Sequence, residues 1–373
     1  MRILIVSHRF FPAEGGSERW ALGLARALAH RGDRPIVLTQ RESGVPDAET
    51  VGGIEIHRIG MRTVGRFRQP EHYLRTLREL DFDLLHLSGN RIWSADYLFP
   101  IAPFVPQPKA ITTHGFYQLE MKGGLGNRLY FERYLPFALR SFGAYLALTD
   151  HEVEQIVSFG YDPRRVHLVG EGIDFLELTD TPASSDLRAQ WKITRRSVAI
   201  SCGGTWENKR LDRVLAGIAP LRRELALVVT GRDVAGSPYD RAYLESRAHE
   251  LGIEFRYVGP LARPEQLAAL RAADVYVQGS SYEGFGLALL EALGSGLTFV
   301  AYPTGVAPAL AGLGGGRIAT DPLEFADAVR ETLAHRAERR EEVAARARLL
   351  ARSWDWNDVV ERYAAIYRSL ASD

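Results

Sequence analysis

Short, wholly apolar runs recur along the chain, and each is followed by a segment with helical spacing. Ile3-Leu4-Ile5-Val6 opens the series and Leu227-Val228-Val229 repeats it in the second half. A strand without a polar face has to be covered on both sides, so these runs predict parallel strands between helices. Strands are predicted over residues 3–7, 35–39, 54–59, 84–88, 110–114, 144–149 and 166–169, then over 198–202, 227–230, 255–258, 275–278 and 298–301. Helices are predicted over 17–29, 127–140, 211–218, 264–271, 285–294 and 323–334. This alternation is the pattern of a doubly wound α/β fold.

At 373 residues the chain exceeds what one ordinary core supports. The alternation breaks once, in the Pro/Ser/Thr/Asp-rich stretch after Gly172. Two Rossmann-like domains are therefore expected, over 1–172 and 191–353, joined by a linker over 173–190. A ligand is expected in the cleft that they face, at the carboxyl ends of the strands.

Charge narrows the function. Lys+Arg and Asp+Glu both total 46, which argues against nucleic acid as the partner. The single cysteine, Cys202, excludes an internal disulfide framework and fits a cytoplasmic location. No apolar run is long enough for a membrane span. Residues 334–352, rich in Ala, Arg and Glu, read as a solvated helix with ion pairs four residues apart.

Two loops carry chemistry. After the first strand, Gly15-Gly16 leads into a helix with Ser17 placed as its N-cap, and paired glycines there let backbone amides approach an anion. The second loop is Glu283-Gly284-Phe285-Gly286-Leu287, between strand 275–278 and the following helix. The N–H groups of Phe285, Gly286 and Leu287 are orphan donors at that helix start, a cradle for a diphosphate. Glu291 lies eight residues after Glu283, about two turns on, and among apolar neighbours it suits a ribose diol. The alternative is a buried helix that tolerates one glutamate. Two carboxylates bracketing a glycine loop favour a site.

Glu283-x7-Glu291 within Glu-Gly-Phe-Gly-Leu resembles the EX7E signature of retaining, GT-B-fold glycosyltransferases of family 4. Gly15-Gly16, Thr113-His114-Gly115, Gly170–Asp174, Gly203–Lys209, Val258-Gly259 and Ser353-Trp354-Asp355-Trp356 follow in that family's order. The resemblance implies hexosyl transfer from a nucleotide diphosphate sugar, UDP- or GDP-linked, to an acceptor glycan, lipid-linked saccharide or small molecule, with no metal and no cofactor. It implies that a C-terminal helix, 354–373, packs back on the first domain. It implies that Glu291 binds the donor ribose, Glu283 contacts the donor sugar and Lys209 neutralises the diphosphate. His114 is placed beside the reactive carbon, with Gly15, Gly16 and Tyr117 at the sugar or acceptor. In the mechanism inferred for the family, the leaving phosphate itself takes the acceptor's proton.

Some positions depart from the family. Gly203-Gly204 stands where Gly-Arg is usual, and Lys209-Arg210 where Lys-Gly is usual. Arg210 or Arg232 is expected to replace the missing phosphate clamp. The alternative function is a GT-B-fold epimerase or a donor-binding protein that transfers nothing. A nicotinamide-dependent oxidoreductase would need a Gly-x-Gly-x-x-Gly turn that the first loop lacks. Asp81-Phe82-Asp83 has the form of a metal motif but reads as a turn into a strand. Residues 58–78, with Arg58, Arg62, Arg66, Arg68, Arg75 and Arg78, and residues 117–140 mix basic and apolar side chains. That composition suits contact with anionic lipid at a membrane face, and equally a solvated face of an Arg-rich protein.

Overall fold

The computed structural model describes residues 1–13, 15–64, 67–180 and 187–372. The chain divides into two compact units, Met1–Gly172 with Trp356–Asp373, and Ile173–Asp355. Of the predicted linker, residues 181–186 lie outside the described residues, as do Glu14 and Arg66.

Ten strands belong to the first unit: β1 (Arg2–Val6), β2 (Arg34–Gln40), β3 (Ala48–Val51), β4 (Ile54–Ile59), β5 (Met61–Val64), β6 (Phe67–Pro70), β7 (Leu84–Ser88), β8 (Lys109–Thr112), β9 (Ala144–Ala147) and β10 (Val166–Leu168). Eight of them form one sheet in the order β10-β9-β8-β7-β1-β2-β4-β3, and β5 pairs with β6 as a separate hairpin. The eight-stranded sheet is parallel except where β3 runs against β4. Ile3, Leu4, Ile5 and Val6 of the central β1 are fully buried, as its unbroken apolar run requires.

The second unit holds β11 (Ser197–Cys202), β12 (Leu225–Thr230), β13 (Glu254–Gly259), β14 (Val275–Gln278), β15 (Phe299–Ala301) and β16 (Gly316–Ile318). They form one parallel sheet in the order β13-β12-β11-β14-β15-β16. Both sheets reverse direction of winding once, beside β1 and β7 in the first and beside β11 and β14 in the second. Ligands of such sheets bind outside the carboxyl ends at that reversal.

The C-terminal helix, Trp356–Ser372, packs on the first unit through Trp356, Val359, Val360, Tyr363, Ala364 and Tyr367. Two glycines make room for it. A Cβ on Gly23 would lie 2.0 Å from the Trp356 indole nitrogen, and one on Gly172 would lie 2.4 Å from the same ring. Tyr363 accepts from Trp20 Nε1 at 3.0 Å and donates to the Gly170 carbonyl at 2.8 Å.

Several expectations need correction. Sequence reading misses β3, β16 and the β5–β6 hairpin; the hairpin lies in the Arg-rich stretch taken for a basic face. Arg58 in that stretch is no surface group: it is buried and holds Glu49 and the carbonyls of Pro46 and Phe11. The helix expected over 127–140 is present, but it is not uniform: Leu125–Leu129 and Leu135–Ala138 are joined by a widened helical turn, Tyr130–Tyr134. Pro136 has no amide to donate one turn back, and the helix widens in the turn just before it. Residues 334–352 are not one solvated helix. They split at Arg339 between Pro322–Glu338 and Arg340–Arg352, and the second buries Val343, Ala344, Ala347 and Ala351. Asp81 and Asp83 both pair with Arg2, locking the entry of β7 to β1.

Candidate active site

In the second unit, β11 and β14 pair with Ala199 beside Val275 and Ile200 beside Tyr276. That register brings their carboxyl ends level, so the loops after Cys202 and Gln278 leave the sheet side by side. They are tied together there. Ser281 N donates to the Asn208 carbonyl at 2.8 Å, and Asn208 Nδ2 donates to the Tyr282 carbonyl at 3.0 Å. Lys209 Nζ sits 2.7 Å from Glu283 Oε1, which also accepts from Ser280 Oγ at 2.6 Å. Lys209 and Glu283, far apart in sequence, thus meet at the winding reversal.

The helix Leu287–Gly294 starts immediately behind this pair, two residues later than predicted, with Gly286 at its N-cap in the left-handed region at φ 106°. The N–H groups of Phe285, Gly286 and Leu287 donate to no acceptor among the described residues. The loop is braced from behind. Val306 N donates to the Phe285 carbonyl at 2.7 Å, and a Cβ on Gly305 would come within 2.1 Å of that oxygen. The Phe285 ring lies 5.7 Å from Trp354. Bracing of this kind fixes where the free amides point.

Glu291 is buried, and its Oε1 accepts from Arg263 NH1 at 2.6 Å. Arg263 simultaneously grips Glu177, with NH2 at 2.8 Å. Burial works against the Arg263 charge, but the two carboxylates more than offset it and its pKa is raised. Both glutamates of the EX7E pair act on the same neighbour: Tyr276 is pushed far up by burial first and then by Cys202, Glu283 and Glu291. Arg263 escaped sequence reasoning. Its only signal was an Arg-Pro pair at a helix start, and nothing local says which carboxylate such an arginine will meet.

Of the two arginines expected to replace the phosphate clamp, Arg210 is occupied. Its guanidinium holds Asp212 at 2.9 and 2.8 Å and lies 5.3 Å over the Tyr239 ring. Arg232 is exposed and makes no ion pair among the described residues. Gly204 is at φ 75°, and a Cβ there would lie 2.1 Å from the Arg232 carbonyl oxygen. The Arg232 backbone thus fills the space where a side chain at 204 would begin. Arg232→Ala is therefore expected to weaken nucleoside diphosphate binding about tenfold, the loss of one charge-assisted contact, while Arg210→Ala changes it far less. Calorimetric titration of the two variants checks this.

In the first unit, β8 stops at Thr112, short of the predicted end, and His114 stands in the left-handed region at φ 59°. A non-glycine residue there is strained and has to be held. Asn90 Nδ2 donates to the carbonyls of Thr113 and Gly115 at 3.0 and 2.9 Å. Below the turn, the buried Glu152 accepts from Thr113 Oγ1, Tyr145 OH and Gly115 N through Oε1, at 2.6, 2.8 and 3.1 Å. Its Oε2 accepts from Leu148 N at 2.7 Å. Glu152 is the second residue of the candidate site that sequence reasoning missed. Its signal was the capping spacing Thr149-x-x-Glu152.

His114 Nε2 lies 2.9 Å from Ser88 Oγ, and the Trp20 ring meets the imidazole edge-on at 4.8 Å. Burial pulls the His114 pKa down to about 4, so the ring is neutral at pH 7. Its neighbour His86 is pulled down to about 3 by burial and by His114. Both shifts have the same sign for stability. The unfolded chain takes up these protons near pH 6.5 and the folded chain does not. Their contribution is complete above pH 6.5 and is lost as the pH falls toward 3–4. The thermal midpoint is expected to drop steadily over that window, and a His86→Gln variant to drop less.

Ser17 is not the N-cap of the first long helix. Gly15 holds that place, without a side-chain cap, and Ser17 Oγ donates to Glu18 at 3.0 Å inside the helix Gly16–His30. A Cβ on Gly16 would meet nothing within 4 Å. Tyr117 follows the His114 turn and is half-buried.

Residues 14–175 match Glycosyltransferase Family 4 and residues 184–350 match Glycosyl transferases group 1. A GDP-mannose:cellobiosyl-diphosphopolyprenol alpha-mannosyltransferase from Komagataeibacter xylinus is 25% identical, over 99% of this chain and 93% of that protein. A D-inositol 3-phosphate glycosyltransferase from Kineococcus radiotolerans is 26% identical, over 96% of this chain and 91% of its own length. Among solved structures, a sucrose-phosphate synthase from Thermosynechococcus elongatus superposes with a TM-score of 0.81 at 18% identity, over 100% of this chain and 99% of that one. Family matches that together run through nearly the whole chain agree with two Rossmann-like sheets and with an acid pair at the carboxyl ends of the second. The chain belongs to the GT-B glycosyltransferases of family 4.

Proposed function

We propose that this glycosyltransferase moves a hexosyl group, with retention and without a metal, from a nucleotide diphosphate sugar to an acceptor hydroxyl. The observation that carries the reading is the meeting of Lys209, Glu283 and three unbonded amides at one helix start. A diphosphate needs cations and N–H donors, and this is where the second unit gathers them. Lys209 and the amides of Phe285, Gly286 and Leu287 take the diphosphate, with Arg232 as the second cation. Glu291, oriented by Arg263, accepts from the ribose hydroxyls, and Glu283 from the donor sugar.

As the sugar–phosphate bond breaks, negative charge grows on the leaving oxygen while the sugar becomes oxocarbenium-like. Lys209 and the helix start stabilise that charge, so they act more strongly in the transition state than in the ground state. The acceptor oxygen bonds the same face of the sugar, and its proton passes to the leaving phosphate. In the first unit, Gly15, Gly16 and Tyr117 are assigned to the sugar or acceptor. His114 is assigned to the sugar as a neutral hydrogen-bonding group.

The relatives named above include a GDP-mannose enzyme, and one of the matching structures is Anabaena HepE with UDP-glucose, at 16% identity and a TM-score of 0.76 over 99% of this chain and 100% of that one. A GDP- or UDP-linked hexose is the donor we infer. The named relatives are transferases and synthases, so nothing favours the epimerase alternative. Thermal shifts with UDP-, GDP-, ADP- and dTDP-sugars, followed by NMR of the product anomer, test the assignment. Inverted product, or no shift with any of these donors, would refute it.

A lipid-linked acceptor suits the surface of the first unit. Leu125, Leu129 and Phe137 are 74%, 53% and 63% exposed. Lys122, Arg128, Arg133 and Arg140 stand in the same segment. Among the described residues no helix is long and apolar enough to cross a membrane. Binding to anionic vesicles at low salt is expected, weakening as salt rises, and a Leu125→Ser/Phe137→Ser double variant is expected to stay in the supernatant on sedimentation.

A further inference from the structure

The second unit has a cavity of about 520 Å³ at the opposite end from the loops that hold Lys209 and Glu283. It opens beyond the C-terminal end of the helix Leu287–Gly294, where Ser295 and Gly296 line it. An adjoining cavity reaches Ser197, the first residue of β11, and Asp274, just before β14. The carboxyl ends of the same strands carry the donor loops, so the two sites are separated by the length of the sheet.

The wall of this cavity is basic. Arg271, Arg336, Arg340 and Arg348 line it against a single acid, Glu341. Arg336 is the unusual member. It is 6% exposed, and its NH1 donates to the Gly296 carbonyl at 2.9 Å. Its Nε is buried and makes no hydrogen bond, and the nearest carboxylate oxygen, Asp274 Oδ1, is 4.0 Å away. Asp274 is already committed to Arg188 and to the Val198 amide. Beside Arg336, the Ser295 hydroxyl is also buried without a partner. The side chains of Arg340 and Arg348 make no hydrogen bond or ion pair among the described residues.

Buried donors are rarely left unpaired, because each forfeits its hydrogen bonds to water. Here two share one cavity, and burial together with Arg340 and Arg348 lowers the Arg336 pKa. Gly296, at φ 85°, lets the Arg348 guanidinium come close: a Cβ there would lie 3.0 Å from its NH2. Like charges are thus held together around orphan donors. An anion with several oxygens reverses that cost, since guanidinium forks match phosphate oxygens and a hydroxyl completes the shell.

We propose that Ser295, Arg336, Arg340 and Arg348 form a second anion site, for a phosphate monoester, distinct from the donor diphosphate site. The phosphate would sit between the Arg336 Nε, the Ser295 hydroxyl and the guanidinium groups of Arg340 and Arg348, with Glu341 at the rim. A soluble phosphorylated metabolite and the headgroup of a lipid carry the same chemistry.

The test uses full-length protein with Lys209→Ala as background, so that the donor site does not contribute. Glycerol 3-phosphate is titrated by calorimetry, and vesicles containing phosphatidic acid are sedimented in parallel. One binding event is expected at about millimolar or lower concentration, and Arg340→Ala/Arg348→Ala added to the background should weaken it at least about tenfold. Both positions are on a helix surface, so the folded state is checked by an unchanged cooperative thermal transition. Binding of the soluble ester places a metabolite in the site. Binding of the vesicles alone, lost in the same variant, places a lipid headgroup there. No binding of either probe, or binding unaltered by the double substitution, overturns the proposal.

Discussion

Lys209→Ala is expected to lower turnover by about a hundredfold to a thousandfold, the usual loss when one preorganised donor to a developing charge is removed. The ammonium is placed before any donor arrives. Glu283 Oε1 holds it at 2.7 Å, Ser280 holds Glu283, and the lysine stem crosses Gly203 closely enough that a Cβ there would lie 2.9 Å from Cε. No reorganisation is then needed when the sugar–phosphate bond breaks. Stability should change less than turnover, because Lys209 is partly open to water and Glu283 keeps its Ser280 donor when the ammonium is removed. The measurement is turnover with the identified donor beside the thermal midpoint. A variant within about threefold of wild-type turnover would remove Lys209 from the leaving group.

The second large effect is expected at a residue that touches no substrate. Glu152→Ala leaves the amides of Gly115 and Leu148 and the hydroxyls of Thr113 and Tyr145 without their carboxylate, all in the interior. Breaking a buried charged network from one side costs about 3–5 kcal/mol. At about 2–4 °C per kcal/mol, the midpoint should fall by roughly 6–20 °C. Glutamine is no rescue, because its amide turns donors toward groups that already donate. Glu152 is a positioning residue for His114: it holds the turn whose strained backbone presents the imidazole. Turnover should therefore fall in Glu152→Gln at a temperature where the protein is folded, while the affinity for the nucleoside diphosphate, which we propose binds the other unit, stays the same. A parallel loss of nucleotide affinity would show a general structural effect instead.

Much of this was legible because parallel α/β sheets advertise themselves. Ile3–Val6 and Leu225–Thr230 have no polar face, and only strands covered on both sides tolerate that. The EX7E loop was legible because a glycine-bearing strand-to-helix turn imposes local geometry, whatever lies around it. The hairpin of β5 and β6 was not, since two four-residue strands with one arginine each, Arg62 and Arg68, look the same in sequence as a solvated loop. The break at Arg339 had no glycine or proline to announce it; the two helices bury different faces, and only their neighbours decide that.

From its residues alone, then, the chain determined most of the strand series, the glycine-bearing loop of the second unit and the identity of the acid pair, all of which depend on neighbours within a few positions. Tertiary structure alone decided that Glu291 answers to Arg263, that the space beside Gly204 is filled by Arg232, and that His114 rests on Glu152. Each of these joins residues tens of positions apart, by a side-chain pair, a backbone approach or a held turn, and no local spacing names the partner. A buried charge is tolerated only where the fold delivers its partner, and that delivery is set by the winding of the sheet rather than by any spacing along the chain.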